Sequence, residues 1–156
     1  MCIRDSLAAV LGGLVGSERG RRGRAAGMRT HVLVCLGAAM TSMVGLYSAE
    51  ILGFTNDPLR VSAQVISGIG FLGAGTIMTR NHAQITGLTT AAGLWATASL
   101  GLCIGTGFYG GVLAAFLVIL VTMVALPSLE RKRRTRREYV CYYLALDNVK
   151  RTDDFY

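Results

Sequence analysis

From Thr30 to Ser128 the chain carries only four charged side chains, Glu50, Asp57, Arg60 and Arg80. A block so long and so poor in charge points to a bilayer, where every backbone N–H and C=O must be satisfied internally. Only helices and closed barrels achieve that. Crossing a hydrocarbon core of about 30 Å takes about 20 apolar residues in a helix. Four stretches fit this length: Thr30 to Glu50, Val61 to Thr79, Leu88 to Gly105 and Phe108 to Pro127. The connectors between them hold stop signals. Asn56-Asp57-Pro58 predicts a helix start, with Asp57 as the N-cap and Pro58 at the first helical position. Arg80-Asn81-His82 and Thr106-Gly107 divide the other pairs.

Composition supports the same class. The chain is 52% apolar and 16% charged, with a mean hydropathy of +0.47, whereas a soluble domain carries about a quarter of its residues as Asp, Glu, Lys and Arg. The net charge of +7 does not indicate a nucleic-acid partner, because 11 of the 16 basic residues lie in two clusters that flank the apolar block. These are Arg19, Arg21, Arg22, Arg24 and Arg29, then residues 131–134 with Arg136 and Arg137. Basic residues near helix ends stay on the cytoplasmic side, and four crossings from Arg29 return the chain to the side on which it began. The expected topology is therefore multi-pass, with the C-terminus cytoplasmic.

The expected fold is all-α, a polytopic transmembrane helix bundle of four full spans plus a truncated N-terminal span over Leu7 to Gly16. Residues 1–6, Met-Cys-Ile-Arg-Asp-Ser, fit neither a signal peptide nor a helix start and read as a non-native leader. Residues 7–127 form the expected bundle. Residues 128–156 read as a basic cytoplasmic segment and the start of an incomplete soluble domain, with one strand at Tyr139 to Leu146. Cys2, Cys35, Cys103 and Cys141 form no CxxC pair, and His31 and His82 stand alone, so no metal site, cofactor or disulfide framework is expected.

Without a hydrophobic gain from helix association in lipid, interfaces depend on small residues that let backbones approach. Three stripes recur at helical spacing: Gly37, Thr41, Gly45 and Ala49; Ala63, Ser67, Gly70 and Ala74; and Thr89, Gly93, Thr97, Gly101 and Gly105. Gly68, Gly70, Gly73, Gly75 and Gly93 are the expected helix-packing residues. Phe116 to Leu126 is bulky on every side and is expected to face lipid. Gly68-Ile69-Gly70-Phe71-Leu72-Gly73 matches the dinucleotide fingerprint in letters, but no acid follows before Glu130 to hold a ribose. Gly70 to Gly75 has the outer spacing of a phosphate loop, yet Thr76 stands where that loop needs Lys.

Five co-linear blocks carry a family resemblance. They are Gly16-Ser17-Glu18-Arg19, Ala26-Gly27-Met28-Arg29-Thr30-His31, Asp57-Pro58-Leu59-Arg60, residues 67–75 (SGIGFLGAG) and residues 87–95 (GLTTAAGLW). Over about Leu7 to Leu126 the chain resembles the MgtC/SapB membrane proteins of bacteria. The resemblance implies a polytopic inner-membrane protein linked to magnesium homeostasis and growth at low magnesium, with some members supporting survival in macrophages and longer ones carrying a small cytoplasmic domain. Two positions depart from the pattern: Thr89, where virulence-type members tend to have Asn, and Met28, where Leu is more usual.

The candidate functional polar residues are Glu18, Arg29, Asp57, Arg60, Gln64 and Thr89. Glu18 is expected to pair with Arg19 or Arg29, as a structural ion pair rather than a cation site. Asp57 reads first as a cap and second as a ligand, and Gln64 equally as interhelical glue or as a functional group. A magnesium site from Glu50 and Asp57 in one outer loop is a thin alternative. With no nucleophile–base pair, an enzyme is not expected. The sequence favours a regulator that contacts other membrane proteins, or itself, through small-residue faces, in the lipid bilayer. The alternative is a divalent-cation (magnesium) transporter or channel component.

Overall fold

The computed structural model describes residues 2–55, 57–80 and 84–134. Five helices follow one another: α1 (Cys2–Arg21), α2 (Met28–Glu50), α3 (Arg60–Thr76), α4 (Leu88–Thr106) and α5 (Tyr109–Arg134). Between α3 and α4 lies a small antiparallel pair, β1 (Met78–Arg80) and β2 (Gln84–Thr86), in the register Met78↔Thr86, Thr79↔Ile85 and Arg80↔Gln84. The expected strand at Tyr139 to Leu146 and the second half of the C-terminal basic cluster lie outside the described residues.

Three helices are long and apolar enough to cross a membrane: Met28–Glu50, Leu88–Thr106 and Tyr109–Leu129. The expected third span, Val61 to Thr79, is not among them. Helix α3 stops at Thr76 after 17 residues, a rise of about 25 Å. Thr76, Ile77 and Thr79 are β-branched and favour extended backbone; Ile77 takes it, with φ −88° and ψ 117°, and β1 begins at Met78. The described residues are all-α in class, as expected, with one pair of three-residue strands between α3 and α4. The apolar run at Leu7 to Gly16 lies within a helix of 20 residues that includes residues 2–6. Charges at Arg4, Asp5, Glu18, Arg19 and Arg21 keep α1 less apolar than the three spans.

Helix α2 is central, packing on α1 along one side and α4 along the other, with α3 against α4 and α5 at the edge. One core cluster joins α1, α2, α4 and α5 through Ala8, Val15, Cys35, Ala39, Leu100, Ile104, Val112 and Phe116. A second joins α2, α3 and α4 through Ala38, Ile69, Leu94 and Ala98. Over residues 109–129 of α5 only Val112 and Phe116 are buried, while Leu113, Leu117, Val118, Val121 and Leu126 are exposed. An apolar helix surface of that kind is at rest in lipid rather than water.

The stripe on α4 does what its spacing predicts. A Cβ added at Gly101 would strike the Cys35 carbonyl oxygen, and one at Gly105 the Ala39 carbonyl oxygen. These glycines let the α2 and α4 backbones touch. On α2 the packed face is His31, Cys35, Ala38, Ala39, Ser42, Met43 and Gly45; of the predicted stripe Gly45 packs, against Pro58, whereas Gly37 meets nothing within 4 Å. Helix α4 ends in a Schellman turn, with Gly107 at φ 83°, Gly107 N–H donating to Ile104 O (3.1 Å) and Phe108 N–H donating to Cys103 O (3.0 Å).

Candidate functional site

The most polar buried junction in the described residues sits where α1 ends and α2 and α4 begin. Gly12 and Gly16 on α1 allow α2 to close in: a Cβ at Gly16 would lie 2.6 Å from Met28 Cα, and one at Gly12 would lie 2.9 Å from the His31 carbonyl oxygen. One turn beyond Gly16, Arg19 is 5% exposed and donates from Nη2 to Thr90 Oγ1 at 2.6 Å. His31 is fully buried; its Nδ1 donates to the Gly27 carbonyl oxygen at 2.9 Å, which fixes the ring proton on Nδ1 because a carbonyl only accepts. Gly93 leaves room for the other side of the ring, since a Cβ there would lie 3.8 Å from His31 Nε2 and 2.8 Å from Met123 Cε. Arg19 Nε and His31 Nε2 are both buried without a hydrogen-bond partner.

Of the sequence-predicted residues, Glu18, Arg29 and Thr89 lie near this junction without forming it. Glu18 pairs with Arg22 at 2.6 Å, one helical turn on, and not with Arg19 or Arg29. Arg19 is turned inward to Thr90, and Arg29 is exposed at the start of α2. Thr89 is exposed, whereas its neighbour Thr90 is buried. The signal for Thr90 was its place in the Gly87–Trp95 block, where two adjacent threonines differ by about 100° of helical rotation and only packing selects the inward one.

At the opposite end of the helices, Asp57 is not the N-cap of a helix begun by Pro58. Its Oδ1 accepts from Leu59 N–H at 2.9 Å, and its carbonyl oxygen accepts from Arg60 N–H at 3.1 Å, so the aspartate closes a turn and α3 starts at Arg60. The Pro58 carbonyl oxygen of this turn lies against Gly45 of α2. Asp57 and Arg60 line a cavity of about 230 Å³ with Gly45 and Ser48, while Glu50 lines another, of about 760 Å³, with Arg4, Asp5 and Tyr47. The two acids thus belong to separate cavities. Among the described residues no group of three or more His, Cys, Asp or Glu converges on one point. Gln64 is exposed, and the α2–α3 hydrogen bond is made instead between Ser42 Oγ and Ser62 Oγ at 3.1 Å.

The glycines of α3 divide sharply. Gly73 packs on Ala91, with a Cβ 3.4 Å from the Ala91 Cβ. Gly68, Gly70 and Gly75 meet nothing within 4 Å, so among the described residues the packing expected of these three is not made. Ala63, Ser67, Gly70 and Ala74, the predicted stripe, are all exposed beside Phe71, which is 84% exposed. The buried face of α3 is Ser62, Ile69 and Gly73. Gly68 to Gly73 lies inside a continuous helix, which is incompatible with the strand–turn–helix setting of a dinucleotide loop.

The MgtC family model matches residues 6–132, a range that takes in all three spans and the Arg19–His31–Thr90 junction. This chain belongs to the MgtC family. Among curated relatives, the putative magnesium transporter YhiD of Escherichia coli (strain K12) is 46% identical over 127 residues, covering 78% of this chain and 59% of the relative. Protein SapB of Bacillus subtilis (strain 168) is 37% identical over 134 residues, covering 83% and 58%. Protein MgtC of Salmonella typhimurium (strain LT2) is 43% identical over 119 residues, covering 76% and 49%. The chain spans about half to three fifths of the length of these relatives. No solved structure matches it. Family and apolar helices together make this MgtC-family chain a bacterial membrane protein.

Proposed function

We propose that this MgtC-family protein is a non-enzymatic regulator in the inner membrane, linked to magnesium homeostasis, that acts by helix–helix contact with another membrane protein. The observation that carries this reading is the outward face of α3. Small residues at 63, 67, 68, 70, 74 and 75 line an open surface beside Phe71, and a Cβ at Gly68, Gly70 or Gly75 would meet nothing within 4 Å among the described residues. In a bilayer such a face is suited to close approach by another helix, with an aromatic side chain available as a knob. The α4 stripe, by contrast, is consumed inside the chain: Gly93, Thr97, Gly101 and Gly105 are buried. The partner contact therefore belongs to α3 rather than to Thr89 and Gly93.

The printed name of the YhiD relative favours a second reading, a magnesium transporter. One experiment separates the two. Purified protein in liposomes is expected to pass no more magnesium than empty liposomes, while crosslinking in cells at low magnesium captures a larger membrane protein. Gly70→Leu is expected to fold normally and to lose that crosslink. Saturable magnesium uptake that disappears on replacing Asp57 or Gln64 would establish transport instead.

The orientation can be tested separately. Arg22 Nη2 donates to the Val124 carbonyl oxygen at 3.3 Å, which puts the first basic cluster at the same end of the bundle as the C-terminal part of α5. With that end cytoplasmic, cysteines introduced into a cysteine-free background at Arg22 and Ser128 are expected to resist an impermeant reagent in intact cells, and one at Thr55 to react. Labelling of position 128 from outside would overturn this orientation.

A further inference from the structure

At the end of α1, no carboxylate among the described residues pairs with the buried charge of Arg19. Arg19 is 5% exposed, its Nη2 is spent on a neutral hydroxyl, and its Nε has no partner. The carboxylate next to it in sequence, Glu18, is taken by Arg22. A buried guanidinium without a counter-charge is strongly unfavourable, because desolvation is not offset by any attraction.

Two further arginines and two helix starts add to the positive potential at that end, alongside the paired Glu18 carboxylate. Arg22 and Arg24 lie close enough to Arg19 for their charges to act on it. The chain folds back there, Arg22 N–H and Arg24 N–H both donating to the Arg19 carbonyl oxygen at 3.2 Å. Two helices also begin at this point. Neither α2, starting after Gly27, nor α4, starting after Gly87, has a side-chain N-cap, so their first N–H groups and positive dipole ends remain available. Their convergence is fixed by contact, α1 touching Met28 through Gly16 and Thr90 through Arg19.

We propose that this end of the bundle is a binding site for a phosphate-class oxyanion, with Arg19 as its buried anchor and Arg22 and Arg24 at its mouth. Guanidinium suits such a ligand because its planar fork meets two phosphate oxygens at once, and a buried charge-assisted pair satisfies both the orphan Nε and the unbalanced charge. Arg24 is exposed and Arg22 partly so, which gives the anion a charged approach from the basic end of the bundle. The same chemistry is offered by the phosphodiester of an anionic lipid headgroup in the adjacent leaflet and by free phosphate. The site is inferred from the α1–α2–α4 junction alone, independently of any partner on α3.

The test uses the full chain, purified and delipidated in a neutral detergent. Thermal unfolding is followed during titration with inorganic phosphate, with chloride at matched ionic strength, and with short-chain phosphatidylglycerol against phosphatidylcholine of the same chain length. A rise in midpoint with phosphate identifies free anion as sufficient. A rise with phosphatidylglycerol alone identifies the lipid headgroup. In either case Arg19→Gln is expected to weaken the response by about ten-fold in apparent affinity, whereas Arg29→Gln, an exposed arginine at the same end, leaves it nearly unchanged. Should Arg19→Gln fail to fold, Arg19→Lys decides the matter: it keeps the charge but not the fork, and affinity is expected to fall several-fold. Equal responses in the Arg19 and Arg29 variants, an undiminished response in Arg19→Lys, or no response to either ligand would overturn the proposal.

Discussion

Gly101→Leu is expected to abolish the folded protein. The Gly101 Cβ position is already occupied by the Cys35 carbonyl oxygen, with Ala38 Cβ 2.9 Å away and Cys35 C at 3.0 Å. None of these atoms belongs to a flexible side chain, so relief requires α2 and α4 to separate. That would open the interface on which both core clusters depend, since Cys35, Ala39, Leu100 and Ile104 belong to one, and Ala38, Leu94 and Ala98 to the other. Overpacking a tight core costs about 1 to 3 kcal/mol when side chains can shift, and a backbone collision belongs at or above the top of that range. The measurement is the yield of monodisperse protein in detergent and the midpoint of its thermal unfolding. Gly37→Leu on the exposed face of α2 serves as the control, because a Cβ there meets nothing within 4 Å. Equal behaviour of the two variants would show that the α2–α4 contact is not the keystone of the bundle.

Gly87→Ala is expected to have the second-largest effect from the smallest change of side chain. Gly87 sits at φ 97°, in left-handed backbone that an L-residue enters at a cost of about 1 to 2 kcal/mol. Its added Cβ would also collide with the Thr76 carbonyl oxygen at the end of α3. Together these place the loss at about 2 to 4 kcal/mol. Gly53→Ala separates the contributions: Gly53 is at φ 68° with nothing within 4 Å, so it carries the conformational cost alone. In thermal unfolding, Gly87→Ala should therefore fall well below Gly53→Ala. A Gly87 variant no worse than the Gly53 variant would mean that the α3–hairpin–α4 connection can relax around the extra methyl.

The α3 glycines show where reading small-residue patterns succeeds and where it fails. Periodicity identifies a face, because residues three and four apart share one side of a helix. It does not say whether the chain covers that face. On α4 the predicted stripe from Gly93 to Gly105 is covered by α2 and by Met123; on α3 the equally regular stripe Ala63, Ser67, Gly70 and Ala74 faces outward. The acids behave similarly. Glu18 had three arginines within reach along the sequence, and the one on its own helical face, Arg22 four residues on, took it.

What the sequence determined by itself was the solvent and the segments. A block of 99 residues from Thr30 to Ser128 with four charges has to place its backbone in helices if it lies in hydrocarbon, and Gly, Pro and charged connectors set where most of them break. The co-linear motifs determined the family, which the match over residues 6–132 establishes. Tertiary structure alone decided which side of each helix meets another. It turned Arg19 inward to Thr90, left Thr89 and Gln64 exposed, ended α3 in a β-hairpin at Met78, and seated His31 among Gly12, Gly16 and Gly93. The reason is that lipid gives an apolar face no preference between burial and exposure, so hydropathy does not distinguish the inside of such a bundle from its outside. The decision falls to backbone approach and to buried polar partners, both of which depend on residues far apart in the chain.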